Sequence, residues 1–393
     1  MGTPRNRATP RNPAKNRVAV AGVATTGMTP RNTGRSQLSL AAEAAVKVLR
    51  ELGLSAVDID GICGSTPPAR EMASALGLTE VTWFAEPAIP FLNHVASAVG
   101  AVASGMCDTV LAYHGAYRLP WNTSSSLKDP FRRPTAVGPV PPPEMVAGSV
   151  GYTAWASRYM YEFGATKDDF GLVAVNDRSN AMRNPDAAMR EPLTLEDYHA
   201  ARMIRWPLNL LDMDVAVDGG DAFVITTPER ARDLPYPPVL VQATALGLSA
   251  PTEEDQAVGL RHHGQQVTID ALRAKSDFWI DDIDVYFPYD GFSVIALNWI
   301  ENAGFCGPGE AGDFLRQHWV KEENRALING RVPLNPHGGA LSDGGTQGSG
   351  HVREAVLQLQ GRAGERQVPD ARRALLTLGG FFFNAQGLLL ERG

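Results

Sequence analysis

Cysteine is scarce in this chain. Its three cysteines among 393 residues, Cys63, Cys107 and Cys306, are an odd number at wide spacing. They form no disulfide framework and no CxxC pair for a metal, and a reducing cytoplasm is the expected setting. Long apolar runs are missing as well. No stretch of about 18 uncharged apolar residues occurs, so no membrane span is expected. There is no excess of positive charge: 36 Lys+Arg against 43 Asp+Glu leave a formal net charge of -7. A nucleic-acid binder would carry a basic face, so nucleic acid is not an expected partner. No GxGxxG follows a strand-like run, and Gly344-Gly345-Thr346-Gln347-Gly348-Ser349-Gly350 lacks the lysine of a phosphate-cradling loop. A GxSxG nucleophile elbow is absent too. His262 and His263 are adjacent rather than four apart, so they cannot share one helical face, and no metal site is expected.

What is present is apolar material in quantity. Hydrophobic residues make up 44% of the chain, enough for a large core and for two to three domain-sized units. Residues 1–17 (MGTPRNRATPRNPAKNR) are basic and polar, with no apolar segment and cleavage site behind them, which argues against a secretory signal. Residues 1–16 are expected to be a disordered tail, since repeated Thr-Pro-Arg-Asn adds no buried surface.

From there the chain alternates. Val18–Val23 reads as a strand. Leu38–Leu52 reads as a helix with Ala41, Ala44, Ala45, Val48 and Leu49 on one face and Gly53 just past its end. A helix at Val95–Ser104 leads into a strand at Thr109–Tyr113. The second half repeats this plan: a strand at Val239–Thr244, a helix at Val267–Ala274, a helix at Val352–Leu359, and apolar runs at Ala374–Leu378 and Leu388–Leu390. Asp58-Ile59-Asp60 reappears as Asp282-Ile283-Asp284, each time between a helix and an apolar strand. The pattern predicts an internal duplication, 17–235 and 236–393, in the α/β class, with a largely parallel sheet covered by helices. Residues 118–207, rich in Pro and Ser over 119–145, interrupt the first half and read as an insertion covering a site.

Three segments carry more specific information. Tyr289-Asp290-Gly291-Phe292 follows the apolar run Val285-Tyr286-Phe287-Pro288. Asn335-Pro336-His337-Gly338-Gly339 leads into Ala340-Leu341-Ser342-Asp343-Gly344. The third segment, LDMDVAVDGGDAFVI, precedes Pro228-Glu229-Arg230-Ala231. Together they resemble the thiolase superfamily, nearest to its sterol-carrier-protein-type thiolases and to the actinobacterial lipid-transfer-protein aldolases. The likeness spans about 17 to 391. It implies the duplicated five-layered thiolase fold, a homodimer and an acyl-CoA substrate, with coenzyme A entering only as part of that substrate and no separate cofactor.

The catalytic side chains of a thiolase are absent from the matching positions. The nucleophilic cysteine falls near Ala88, the second cysteine at Thr377, the histidine of Gly-His-Pro at Gly345, and the asparagine of Asn-Glu-x-Phe at Tyr289. Without a thiolate there is no acyl-enzyme, so ordinary thiolase chemistry is excluded. The aldolase branch also lacks the cysteines and is thought to use tyrosines. Tyr289 matches one of them; the other would stand where this chain has Gly345. The resemblance implies retro-aldol cleavage of a β-hydroxyacyl-CoA, with a steroid side chain as a candidate acyl group, and a small OB-fold, zinc-ribbon partner protein.

The expected catalytic residues are Tyr289, as base or proton shuttle with a lowered pKa, and His337, as donor to the thioester or as a loop anchor. Ala88, Gly338, Gly339 and Gly380 are expected at the substrate, the glycines for close backbone approach. Asp290 is expected to cap the following helix, and Asp218-Gly219-Gly220 to form a turn between core strands. Two alternatives stay open: a silent acyl-CoA-binding or scaffolding subunit, and a different reaction of a CoA thioester in the same pocket.

Overall fold

The structure, a computed structural model, describes residues 12–30, 32–117, 149–248, 260, 263–380 and 385–393. The chain opens with β1 (Ala19–Thr25), α1 (Gln37–Leu52), β2 (Gly61–Cys63), α2 (Ala69–Leu76), β3 (Trp83–Ala85), α3 (Leu92–Ser104) and β4 (Thr109–Ala116). Helices α4 (Ser149–Phe163), α5 (Lys167–Ala181) and α6 (Leu195–Ala200) follow. A small hairpin of β5 (Met203–Arg205) and β6 (Leu208–Asn209) leads to β7 (Gly219–Thr226) and α7 (Pro228–Arg232). The second half begins with β8 (Val239–Gly247), α8 (Gly264–Lys275), β9 (Val285–Pro288), α9 (Ser293–Ala303) and α10 (Ala311–Gln317). It continues with the short strands β10 (Trp319–Val320), β11 (Arg325–Ile328) and β12 (Val332–Pro333), then α11 (Ser349–Leu359), β13 (Arg373–Leu378) and β14 (Ala385–Arg392).

Local chemistry places these elements. On α1, Ser36 accepts the Ser39 N–H at the start, Ala41, Ala44, Ala45, Val48 and Leu49 turn inward, and Gly53 ends the helix at φ 68°. Gly219 and Gly220, expected in a turn, instead open the strand β7. A Cβ at Gly220 would lie 2.4 Å from the Leu40 carbonyl oxygen, so the missing side chain lets β7 press against α1.

The main sheet has the order β3-β2-β4-β7-β1-β8-β14-β13-β9. Outward from the β1–β8 seam, β1-β7-β4-β2 on one side and β8-β14-β13-β9 on the other repeat one plan. The pairs β1–β7 and β4–β7 are antiparallel, as are their counterparts β8–β14 and β13–β14; β2–β4 is parallel, as is β9–β13. Even β3, parallel to β2, has a counterpart in the isolated parallel bridge of Tyr286 to Leu334, just after β12. The two halves join where β1 meets β8 over two residue pairs. The duplicated fold is therefore written in the strand pairings. The sheet is mixed rather than largely parallel, because the last strand of each half, β7 or β14, pairs antiparallel with the long strand before it, β4 or β13. Helices α3 and α11 each pack on strands of both halves, while α1 and α8 cover the outer faces, giving the five layers.

Of the expected tail, residues 1–11 lie outside the described residues. Asn12 donates to the carbonyls of Gln242 and Lys275, and Asn16 N donates to that of Val241, tying 12–16 to the second half. Of the expected insertion, 118–148 lie outside the described residues, and 149–207 hold α4–α6 and the start of the small hairpin. Among the described residues no helix is long and apolar enough to cross a membrane.

Candidate active site

Strand β9 ends at Pro288, and Tyr289 N donates to the Thr377 carbonyl of β13 at 2.8 Å, carrying the parallel pairing one residue further. The Tyr289 side chain thus projects from the carboxyl end of a sheet strand, where open α/β sheets place their ligands. The next residue turns the other way. The Asp290 carboxylate accepts the N–H groups of Ala340 and Leu341, each at 2.8 Å, and meets His351 Nε2 at 3.0 Å. It therefore anchors the turn at Gly339–Asp343 and does not cap α9, whose first residues receive no side-chain cap.

Two of the glycines expected at the substrate, Gly338 and Gly339, have a different use. Gly338 (φ 110°) and Gly339 (φ 60°) adopt left-handed backbone conformations that cost other residues energy. A Cβ on Gly338 would lie 2.6 Å from that of Ala181, and one on Gly339 would lie 2.2 Å from Asp290 Oδ2. Both face protein, and neither lines the cavity described below.

His337 is fully buried behind this turn, with its ring 4.7 Å from that of His351 and 5.8 Å from that of Phe287. Neither ring nitrogen has a hydrogen-bond partner among the described residues. Burial, with the charges of His351, Arg353 and Arg366 adding to it, pushes the ring well below the usual histidine range and keeps it neutral. His337 does not reach the cavity. His351 stands between it and Tyr289, whose ring lies 5.5 Å from that of His351. Asp177 of α5 carries the proton of a buried acid pair with Asp290. Burial and the Asp290 charge push Asp177 well above the carboxylate range; Asp290 stays below it despite its own burial, because His351 and backbone N–H groups donate to it.

In front of Tyr289 lies a cavity of about 760 Å³. Its wall takes Tyr289, Gly291 and Phe292 from the β9–α9 connection, Ile295 from the first turn of α9, and Gly379 and Gly380 from just past the end of β13. Asp214 and Val215 come from the segment before β7, and Tyr152, Arg178, Arg202 and Ile204 from the inserted region. The lining is mostly apolar, with a few polar groups that converge, the usual make-up of a site for a large organic ligand.

Two of these polar groups matter for acid–base chemistry. Tyr289 is buried, and that burial, reinforced by the charges of Asp214 and Asp290, drives its phenol well above the usual tyrosine range. The lowered pKa expected of it is reversed: Tyr289 is a neutral hydroxyl at any physiological pH. Asp214 has its carboxyl pushed up to about 6, by burial first and then by the negative charge of Asp290. Asp214 was not among the residues expected at the site. Its signal was an ionisable residue among apolar ones in LDMDVAVDGG, five positions before the strand.

The other expected positions are dispersed. Ala88 is exposed on the loop before α3, where its carbonyl accepts the Asn93 side-chain amide; two residues on, Pro90 reaches the cavity. Thr377 is buried on β13 with its hydroxyl 3.0 Å from that of Tyr286. Gly345 backs onto Asp214. Gly380 is on the cavity wall. None of the three cysteines lines the cavity, and burial pushes each thiol up to about 12, so none is a thiolate at neutral pH. The part of the His262–His263 pair that is described, His263, accepts the Gln265 N–H at the start of α8.

Comparison with known proteins agrees with this architecture. Residues 264–392 match the family described as thiolase C-terminal domain-like. The chain is 32% identical to the steroid side-chain-cleaving aldolase of Thermomonospora curvata, over 92% of this chain and 94% of that protein. It is 33% identical to the 17-hydroxy-3-oxo-4-pregnene-20-carboxyl-CoA lyase of Mycobacterium tuberculosis, over 92% and 96%. The solved structure of an Ltp2-ChsH2(DUF35) aldolase superimposes with a TM-score of 0.82 at 31% identity, covering 97% of this chain and 99% of that one.

Proposed function

The chain belongs to the family of thiolase-fold aldolases and acyl-CoA lyases represented by these relatives, and we propose that it cleaves a β-hydroxyacyl-CoA by a retro-aldol reaction. The observation that carries this reading is the pairing of a neutral Tyr289 with an ionisable Asp214 on one cavity wall that holds no cysteine. In the reaction a base takes the β-hydroxyl proton. The O–H electrons become the new C=O bond, the Cα–Cβ bond breaks, and its electrons form the enolate of the thioester. A proton returned to Cα completes a shorter acyl-CoA beside the carbonyl product. The chemistry needs no oxidant and no acyl-enzyme.

A neutral phenol serves this sequence as a donor to developing charge. Tyr289 would hydrogen-bond the enolate oxygen of the thioester and return a proton, a role that needs the phenol protonated, as its raised pKa keeps it. Gly379 and Gly380, having no side chains, would let the thioester lie against the end of β13. The mostly apolar cavity suits a polycyclic acyl group such as a steroid, whose burial supplies affinity without demanding many polar contacts. We place the reaction in the cytoplasm, with coenzyme A as part of the substrate. We propose that the protein works as a homodimer and with a small DUF35-type partner of OB-fold and zinc-ribbon architecture, by analogy with the aldolase complex it resembles.

The test is incubation of the purified protein, with any co-purifying partner retained, with a β-hydroxyacyl-CoA bearing a steroid side chain. A ketone and a shorter acyl-CoA in equal amounts are expected. Tight binding of the thioester without products would instead indicate a silent subunit.

A further inference from the structure

Retro-aldol cleavage needs a base, and Tyr289 is unsuited to that task. We infer that Asp214 is the catalytic base, its carboxylate occupying the space that a glycine at position 345 leaves open. The inference rests on the aldolase reading and adds the residue that starts the reaction.

Geometry carries it. Asp214 N donates to the Gly291 carbonyl at 3.0 Å, one residue beyond the Tyr289–Asp290 pair. On its other side, Val215 N donates to the Ala340 carbonyl at 3.0 Å, and Gly345 N donates to the Val215 carbonyl at 2.7 Å. The residue is clamped between the turn that presents Tyr289 and the turn that follows His337. A Cβ built on Gly345 would lie 2.6 Å from Asp214 Oδ2 and 3.1 Å from the Val215 carbonyl oxygen. Any side chain at 345 would therefore enter the volume the carboxylate holds. No left-handed backbone requires glycine at 345, whose φ is absent from the positive range. Close approach explains the glycine, and what approaches is a carboxylate.

The electrostatics suit a base. Tyr289 and Asp290 face Asp214 from the turn after β9, and Arg178 and Arg202 line the same cavity. A carboxyl tuned upward by burial and by a neighbouring anion is a stronger base than one in water, yet it remains ionised near neutral pH. On one wall the site then offers an anionic acceptor for the hydroxyl proton and a neutral donor for the enolate.

The experiment uses the full chain with its co-purifying partner and a steroidal β-hydroxyacyl-CoA. The wild type is expected to cleave it, with kcat rising through an acidic limb. Asp214→Asn is expected to lower kcat by at least about 100-fold with KM changed by no more than about threefold, and to abolish the limb. Asp214→Glu should recover part of the activity. Gly345→Ala, which sets a methyl against the carboxylate without backbone strain, should lower kcat by about tenfold or more. Should Asp214→Asn retain kcat within about tenfold of wild type, keeping the limb, the assignment is overturned and the aldolase reading survives. Wild-type kcat in Gly345→Ala would overturn it as well. A wild type that yields no ketone brings down the aldolase reading and this base together.

Discussion

The two halves of the molecule share one blueprint and put it to different uses. In each, a central helix carries a histidine at its third position: His94 of α3 in the first half, His351 of α11 in the second. Both rings are buried and both meet the second residue after the equivalent strand, β2 or β9. In the first half that residue is Ser65, 3.0 Å from His94 Nε2; in the second it is Asp290, 3.0 Å from His351 Nε2. A hydroxyl leaves His94 neutral, its pKa held down to about 4 by burial and the nearby His114. A carboxylate turns the same position into an electrostatic anchor, which fixes the Gly339–Asp343 turn and raises the acidity threshold of Tyr289 and Asp214. The last connection differs as well. Residues 117–218 separate β4 from β7, while only 379–384 separate β13 from β14. The short connection leaves Gly379 and Gly380 bare at a strand end, and the long one brings in Arg178, Asp214 and Tyr152 to wall the opening. Duplication built the frame, and asymmetry in a few residues and one insertion built the site.

The strongest test of that asymmetry is the link between the halves. Arg353 of α11 donates to Asp221 of β7 at 2.7 Å and to Asp343 at 2.6 Å, all three buried. Arg353→Ala would strand two buried carboxylates, and a loss of about 3–5 kcal/mol is expected in denaturant unfolding. A loss below about 1 kcal/mol would show that the halves do not depend on this link.

Next in size is Gly339→Ala. It combines a left-handed backbone with a Cβ 2.2 Å from Asp290 Oδ2, and should cost about 2–4 kcal/mol while lowering cleavage activity. Substituting the two histidines sharpens the comparison directly. His351→Ala should lower kcat by about tenfold or more by removing the support of Asp290 and Tyr289, whereas His94→Ala should leave kcat within about threefold. Equal effects on kcat would erase the functional distinction between the halves.

A smaller effect concerns pH. The folded-state pKa of Asp214 is raised, so the fold favours its protonated form, and that contribution is lost as pH rises through about 6. Relative to wild type, Asp214→Asn should gain up to about 3 kcal/mol in stability between pH 4 and pH 8. Thermal melts at the two pH values read this difference, and a gain on acidification instead would mean that Asp214 is stabilised as an anion. The smallest effect is expected at the cysteines: Cys63→Ala should leave kcat unchanged within about twofold, since the thiol is buried against α3 and is not ionised.

Much of the frame was legible in the sequence because it depends on local patterns. The face of α1 with its glycine stop, the strands from Thr109 and Val239, and the doubled Asp-Ile-Asp entries each follow from hydrophobic period and capping chemistry. The direction of the strands was not legible. Alternation of strand and helix suggested parallel pairing, yet β7 and β14 return antiparallel, and that depends on where a chain lands rather than on its own residues. Glycines misled for a related reason. Gly220, Gly338 and Gly339 announce close approach, but the partner is α1, Ala181 or Asp290 rather than substrate, and identity of the partner is a tertiary fact.

The sequence by itself determined that the chain duplicates an α/β unit, that no cysteine stands where a thiolase nucleophile belongs, and that Tyr289 follows the key strand. The duplication and the place of Tyr289 reside in period and order along the chain, and the missing cysteine in the resemblance of its motifs to the thiolase superfamily. Only the tertiary structure decided that the Tyr289 phenol is buried and stays neutral, that His337 sits behind the cavity, and that Asp214 stands beside Gly345, 131 residues away in the chain. Proton affinities depend on burial and on charges brought close from distant segments, and no linear pattern encodes which segments those are.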